Sequence, residues 1–95
     1  MYEFEAVLWR WRDDGAWHFV TLPEDVTDDI DDRLPLRAGF GSVRVEVSVG
    51  ASTWQTSIFP SKGLGSFILP VKKAVREAQG CTEGDRIRVR LTIES

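Results

Sequence analysis

The side chains best suited to catalysis are few and widely spaced in this sequence. His18 is the only histidine and Cys81 the only cysteine, so neither a Cys/His zinc site nor an internal disulfide is expected. His18 faces solvent in a β-strand if the flanking Trp17 and Phe19 point inward. Cys81 follows a predicted helix end and is interpreted as a small buried residue. We therefore predict no catalytic residue, no metal ion and no cofactor.

Acidic and glycine-rich segments are the next candidates for ligand binding. Segment 24–32 carries six acidic residues, but it lacks the glycine and the glutamate that an EF-hand loop requires. It is interpreted as the solvated face of a helix. The glycine pairs of segments 39–41 and 63–65 precede strands, whereas a phosphate-binding loop precedes a helix. These two segments are predicted to be ordinary loops.

Six basic residues suggest an anionic partner. Three share one face of the last predicted strand and three lie on one predicted helix: Arg86, Arg88, Arg90 and Lys72, Lys73, Arg76. Such a set can contact phosphates, which makes a nucleic acid the alternative partner. A net charge of −3 and a pI near 5.1 are unlike a nucleic-acid-binding domain, so a solvated face is favoured. Glu46 is predicted to pair with one of the strand arginines.

Aromatic residues supply a second candidate surface. Trp9 and Trp11 share one face of the first predicted strand, and Ala6 and Leu8 share the other. If the core takes Ala6 and Leu8, the two tryptophans point outward. Large aromatic side chains are favoured at the centres of interfaces. We predict that Trp9, Trp11 and Trp54 contact a partner protein, a second copy of the chain, or a small ligand.

The elements that position these residues are mostly strands. Polar and apolar residues alternate with a period of two in 43–49, where four valines share one face, and again in 86–93. Further strands are predicted at 2–12, 17–22, 53–59 and 66–69, with a hairpin turn at 13–15.

Two helices are predicted at 24–33 and 71–79. The second follows Pro70, ends before Gly80, and places four residues toward the core: Val71, Ala74, Val75 and Ala78. The 95 residues correspond to a single domain, 1–95. Six to seven short strands protect their edges best by closure. We predict a mostly β fold with two short helices, built as a small closed or partly open barrel.

Several segments, taken in order, resemble the family named domain of unknown function 1905. The blocks that carry the resemblance are 17–23, 54–60, 65, 69–76 and 84–89. It implies a double-split β-barrel, similar in topology to AbrB-type transcription factors, and no known reaction. Some relatives carry an additional helical domain similar to bacteriocin-protection proteins. The family-matched residues are interpreted as structural: Thr56, Ser57, Pro60, Gly65, Arg76, Gly84 and Asp85. In a turn, Asp85 is predicted to bond the backbone two residues on.

The sequence has no segment typical of a signal peptide or a membrane span, so the cytoplasm is the expected compartment. Our leading hypothesis is a non-enzymatic β-barrel module that binds a partner protein or a small ligand. The alternatives are an AbrB-like barrel that binds nucleic acid through the basic residues, and an unrecognised enzyme whose site is assembled by folding.

Overall fold

The computed structural model describes residues 1–11, 17–33, 41–61 and 63–94. Within these ranges the chain forms seven strands and two helices. The strands are β1 (Tyr2–Val7), β2 (Trp9–Arg10), β3 (His18–Thr21), β4 (Val43–Val49), β5 (Ser52–Ser61), β6 (Ser66–Pro70) and β7 (Arg86–Ile93). The helices are α1 (Glu24–Arg33) and α2 (Lys73–Gln79). The predicted turn at 13–15 lies outside the described residues, as does the glycine of the first pair at position 39.

The strands form an antiparallel sheet that nearly closes into a barrel. Their order is β1-β7-β4-β5-β6-β3-β2. Because β1 and β2 are consecutive, a single residue, Leu8, joins the two ends of this order. At the opposite corner, residues 52–58 of β5 pair with β4 and residues 59–61 pair with β6. The predicted mostly β barrel with two helices is confirmed.

Leu8 divides the strand that was predicted as one piece over 2–12. β1 pairs with β7, whereas β2 pairs with β3. The Leu8 amide donates to the Asp85 carbonyl and the Leu8 carbonyl accepts from the Gly84 amide, both at 2.8 Å. Gly84 has φ +95°, a backbone conformation that favours glycine. The prediction of one uninterrupted strand is wrong because the chain changes partners at Leu8 without losing its alternation.

The barrel core consists of the inward side chains of the strands. All four valines of β4 are buried, and Ile87, Val89 and Leu91 of β7 are buried beside them. Leu8 and Val20 are fully buried as well. The alternation predicted for 43–49 and 86–93 is therefore confirmed, and it places about half of each strand's residues in the apolar interior.

Helix α1 covers the barrel as predicted. Val26 and Ile30 are buried, and the Thr27 hydroxyl accepts a hydrogen bond from the Phe67 amide at 3.3 Å. The Tyr2 hydroxyl donates to Asp29 Oδ2 at 2.5 Å and so joins the helix to β1. This bond holds the pKa of Asp29 below its usual value.

Helix α2 differs from the prediction in its start and its buried face. The Val71 amide donates to the His18 carbonyl at 2.9 Å, which extends the pairing of β6 with β3 and delays the helix to Lys73. Val71 and Val75 are buried, but Ala74 and Ala78 are exposed. The helix instead turns the half-buried Arg76 and Gln79 inward beside Val75, because their side chains donate to the Val71 carbonyl and to Ser52 Oγ. No helix in the described ranges is long and apolar enough to cross a membrane.

The facing of β4 generates a test of the core. Val45 is fully buried and Arg44 is exposed on the other face of the same strand. We expect Val45→Asp to lower the free energy of unfolding by at least about 3 kcal/mol, because it buries an unpaired carboxylate. Arg44→Asp introduces the same residue into water and should change it by less than about 1 kcal/mol. Urea denaturation followed by circular dichroism measures both, and the reverse order contradicts this core.

Candidate functional site

The outer surface of the barrel divides into two walls. We call the outward face of β1, β7 and β4 the charged wall, and the outward face of β2, β3, β6 and the end of β5 the aromatic wall. On the aromatic wall, Trp9 lies opposite Phe19 and Phe59 lies opposite Ile68. The Trp11 amide donates to the Trp17 carbonyl at 2.8 Å, which continues the pairing beyond β2. Cross-strand register therefore brings aromatic residues from three segments onto one face.

Phe19 is the centre of this aromatic wall. Its ring centroid lies 5.1 Å from that of Trp9 and 6.1 Å from those of Trp11 and Trp17. Trp17 stacks on it with an interplanar angle of 14°, and Trp11 meets it edge-on at 69°. These separations are those of favourable aromatic pairs. The three indoles are thus held by a common neighbour, which limits their freedom at the surface.

A shallow apolar groove of about 420 Å³ runs along the aromatic wall. Trp11, Trp17 and Phe59 line it and remain 44%, 53% and 42% exposed, while Ile68 forms its nearly buried floor. A second groove, beside Trp11, is lined by Leu64. No charged side chain lines either groove, as far as the described residues show. The wall is therefore both apolar and accessible.

The three predicted contact tryptophans have different positions. Trp11 is exposed on the aromatic wall, and Trp9 is half-buried there, with its Nε1–H donating to Thr21 Oγ1 at 3.0 Å. Trp54 lies on the inner face of β5 and is only 8% exposed. The structure thus brings Trp9 and Trp11 together and leaves Trp54 apart from them.

Phe19 and Phe59 were missed as members of this surface, and Trp17 was not among the predicted contact residues. The condition that Trp17 and Phe19 point inward is not met, because Val20 takes the inward position and the neighbouring aromatic rings turn outward. His18 consequently shares the inner face with Val20 and is half-buried instead of solvent-facing. The outward position of Phe59 follows from the alternation of 53–59, since Ile58 is buried.

Cys81 packs partly buried against the core. Its burial raises the pKa of the thiol, which reduces the thiolate fraction at neutral pH. The side chain is placed as a small apolar residue.

The charged wall contains one arginine that forms ion pairs with two acids of the neighbouring strand. Arg88 lies 3.4 Å from Glu3 and 3.5 Å from Glu5, and the hydrogen bond with Glu3 raises the pKa of Arg88. The Arg90 guanidinium donates to the Gly50 carbonyl at 3.3 Å. The predicted pairing of Glu46 with an arginine is wrong, because β1 lies on the other side of β7 and supplies the acids, while Glu46 lies opposite Thr92.

A separate concave region, the basic cleft, lies between β3, β5 and the segment leading into α2. Its volume is about 380 Å³, and its lining includes His18, Trp54, Thr56, Lys72, Lys73 and Arg76. The Arg76 Nε donates to the Val71 carbonyl at 3.1 Å. None of the three arginines of β7 lines this cleft. The six bases that were grouped in the sequence therefore belong to two regions of the surface.

A family model described as "Domain of unknown function (DUF1905)" matches residues 4–91. The chain belongs to the DUF1905 family. The match covers nearly the whole barrel, from β1 to the middle of β7, and it confirms the resemblance. No curated protein matches the chain significantly.

Several residues that carry the DUF1905 resemblance occupy turns. Gly65 has φ +68° and its amide donates to the Ser61 carbonyl at 2.8 Å, whereas Pro60 lies near the end of β5, opposite Phe67 of β6. The Asp85 carboxylate accepts from the Thr82 amide at 2.8 Å, three residues before it. The predicted bond to the backbone two residues on is therefore wrong, because Asp85 closes the turn that precedes it.

The two remaining family-matched positions lie on β5. Ser57 lies opposite Arg44, and Thr56 lies opposite Val45 on the inner face, where it lines the basic cleft.

The internal pairing of the charged wall generates a prediction about nucleic acid. Because Glu3 and Glu5 neutralise Arg88, we expect no binding of duplex DNA or RNA at about 10 μM protein and about 50 mM salt. Fluorescence anisotropy with labelled oligonucleotides measures this. Binding that weakens steeply with salt, and that an Arg86→Ser/Arg88→Ser/Arg90→Ser variant loses, would make the charged wall a nucleic-acid surface.

Proposed function

We propose that this DUF1905 chain is a protein-binding module that pairs with a second copy of itself through the aromatic wall. The observation that carries the proposal is the apolar groove beside three aromatic side chains that are each more than 40% exposed. Contiguous apolar patches of this kind on a small domain typically mark interaction sites. We also infer the cytoplasm as its compartment, since a chain with one cysteine gains no internal disulfide from an oxidising environment.

The chemistry of the groove favours a protein partner with an apolar surface. The side chains that line it offer neither a charge nor a cluster of hydrogen-bonding groups that would orient a small polar ligand. Desolvating such a surface costs little, because no charged group has to lose its water. Tryptophan and phenylalanine anchors supply most of the binding energy at interfaces of this composition.

A second copy of the chain satisfies these requirements without a further partner. Under two-fold symmetry the same patch is used on both protomers, so each aromatic wall covers the other. The charged walls then remain in water on the outside. A standard interface buries about 800 Å² per partner, roughly an eighth of the 5975 Å² accessible surface of this chain.

The packing around Phe19 favours tight association. The ring centroids of Trp11 and Trp17 each lie 6.1 Å from the centroid of the Phe19 ring. Packing against this ring restricts the conformations of both indoles before binding. Side chains that are already ordered lose less conformational entropy when an interface forms.

The proposal predicts the effect of removing two groove residues. We expect the wild-type chain to show a monomer–dimer equilibrium in sedimentation velocity, and Trp11→Ser/Phe59→Ser to remain monomeric. Both side chains are more than 40% exposed, so each replacement should lower the free energy of unfolding by about 1–2 kcal/mol, less than the loss of a core residue. Val7→Ser is the matched control, because Val7 is 44% exposed on the charged wall and should leave dimerisation unchanged.

Leu64→Ser provides an independent variant in case the double variant fails to fold. Leu64 is 54% exposed beside Trp11, outside the ring contacts of Phe19, and its loss should weaken the dimer. A wild-type chain that stays monomeric at the highest concentration, or variants that dimerise as the wild type does, would overturn the proposal.

A further inference from the structure

We infer that the basic cleft binds a small planar organic anion, a flat ring that carries a carboxylate or a phosphate. This site adjoins the surface proposed for self-association and shares Trp17 with it. The inference depends on three features of the cleft: the charge of its lining, the flat apolar surfaces beside that charge, and its size.

The charge of the lining has one sign. Lys72, Lys73 and Arg76 supply three cationic groups, and His18 adds a ring nitrogen donor. No carboxylate lines the cleft, as far as the described part of the chain shows. Cationic groups gathered around a concave surface raise the local concentration of anions.

Arg76 is positioned for this purpose by the backbone. Its side chain is half-buried, and its Nε donates to the Val71 carbonyl at 3.1 Å. A guanidinium group that is already held loses less freedom when it binds an anion. Its planar arrangement of donors suits both carboxylate and phosphate. The two lysines are exposed and supply mobile cationic groups at the same site.

Flat apolar surfaces lie beside these bases. Trp17 is 53% exposed and lines the cleft together with Pro70 and the almost completely buried Trp54. Aromatic rings stack on surfaces of this kind. Gln55 and Thr56 add hydrogen-bonding groups on β5. A lining that is partly apolar and partly cationic selects a ligand with both properties in preference to a free inorganic ion.

The size of the cleft favours a small molecule over a polymer. Its volume of about 380 Å³ falls in the range of small-molecule pockets, roughly 300–1,000 Å³. Among the residues that the structure describes, no cationic side chain lines the grooves of the adjoining aromatic wall, and the arginines of β7 do not line the cleft. A polyanion would therefore find no continuous track of bases leading away from it.

The experiment uses two probes that each join a planar ring to an anionic group, a purine with a phosphate and an indole with a carboxylate. Adenosine monophosphate and indole-3-acetate are titrated into the chain, and adenosine and indole serve as neutral counterparts. Amide chemical shifts at 54–56 and 71–76 report binding in the cleft, and calorimetry gives Kd. We expect at least one anion to bind there, and its neutral counterpart to bind at least about tenfold more weakly.

Charge-matched variants locate the site. Lys72→Gln/Lys73→Gln removes two exposed charges from the cleft and should raise Kd at least about tenfold. Arg44→Gln/Arg86→Gln removes two exposed charges from the charged wall and should leave Kd within about twofold. Trp11→Ser/Phe59→Ser should also retain binding, since neither residue lines the cleft. Loss of dimerisation in that variant with binding retained separates the two proposals.

The outcomes are distinct. If only adenosine monophosphate binds, the ligand is nucleotide-like. If only indole-3-acetate binds, the ligand is an aromatic acid. Either result supports the inference. Absence of amide shifts with both anions up to about 10 mM overturns it. Equal binding of the neutral compounds, or equal weakening by the two charge-matched variants, overturns it as well.

Discussion

The alternation of side chains along the first strand passes unbroken through Leu8 while the strand changes its partner. Two backbone hydrogen bonds to the turn at 84–85 hold this residue, and its side chain is fully buried. Phe4, Ala6 and Leu8 consequently face the core, and Trp9 and Trp11 are directed outward on the other half of the barrel. If the alternation shifted by one residue at Leu8, the side chains beyond it would exchange faces, and the two tryptophans would point into the core. The closure of the barrel and the character of its outer surface depend on this one position.

The two walls differ in the interactions that their outward side chains make. On the charged wall, Arg88 forms ion pairs with Glu3 and Glu5, and most of the other outward side chains are polar or charged groups suited to water. On the aromatic wall, Phe19 gathers three indoles whose outer surfaces stay uncovered. A sheet face exposed to water does not need aromatic residues for stability, and polar residues would serve it as well. Exposing these apolar rings to water is unfavourable, and covering them in an interface would remove that unfavourable contact with water.

The sequence predicts a strand and its buried face where one face is polar and the other apolar. It does not predict the buried face where both faces are apolar. In 43–49 valine alternates with polar residues, so the buried face, the strand type and the bounds are all confirmed. In 17–22 both faces are apolar, and alternation cannot decide whether Phe19 or Val20 points inward. The structure decides for Val20, which pairs with the fully buried Leu69 of β6. The change of strand partner at Leu8 could not be predicted either, because it leaves the period-two alternation of side chains unchanged.

The basic cleft could not be predicted because no single segment contains it. Its lining comes from 17–18, 54–56 and 70–76, which meet only after β3, β6 and β5 have paired. Trp17 lines both the cleft and the groove on the aromatic wall, so replacing it would disturb both surfaces. Of the cleft and the groove, Lys72 and Lys73 line only the cleft. Trp11 and Phe59 line only the groove. The chemistry of the two surfaces is opposed, one cationic and one uncharged, so a ligand suited to one is excluded from the other by the cost of desolvating its charge.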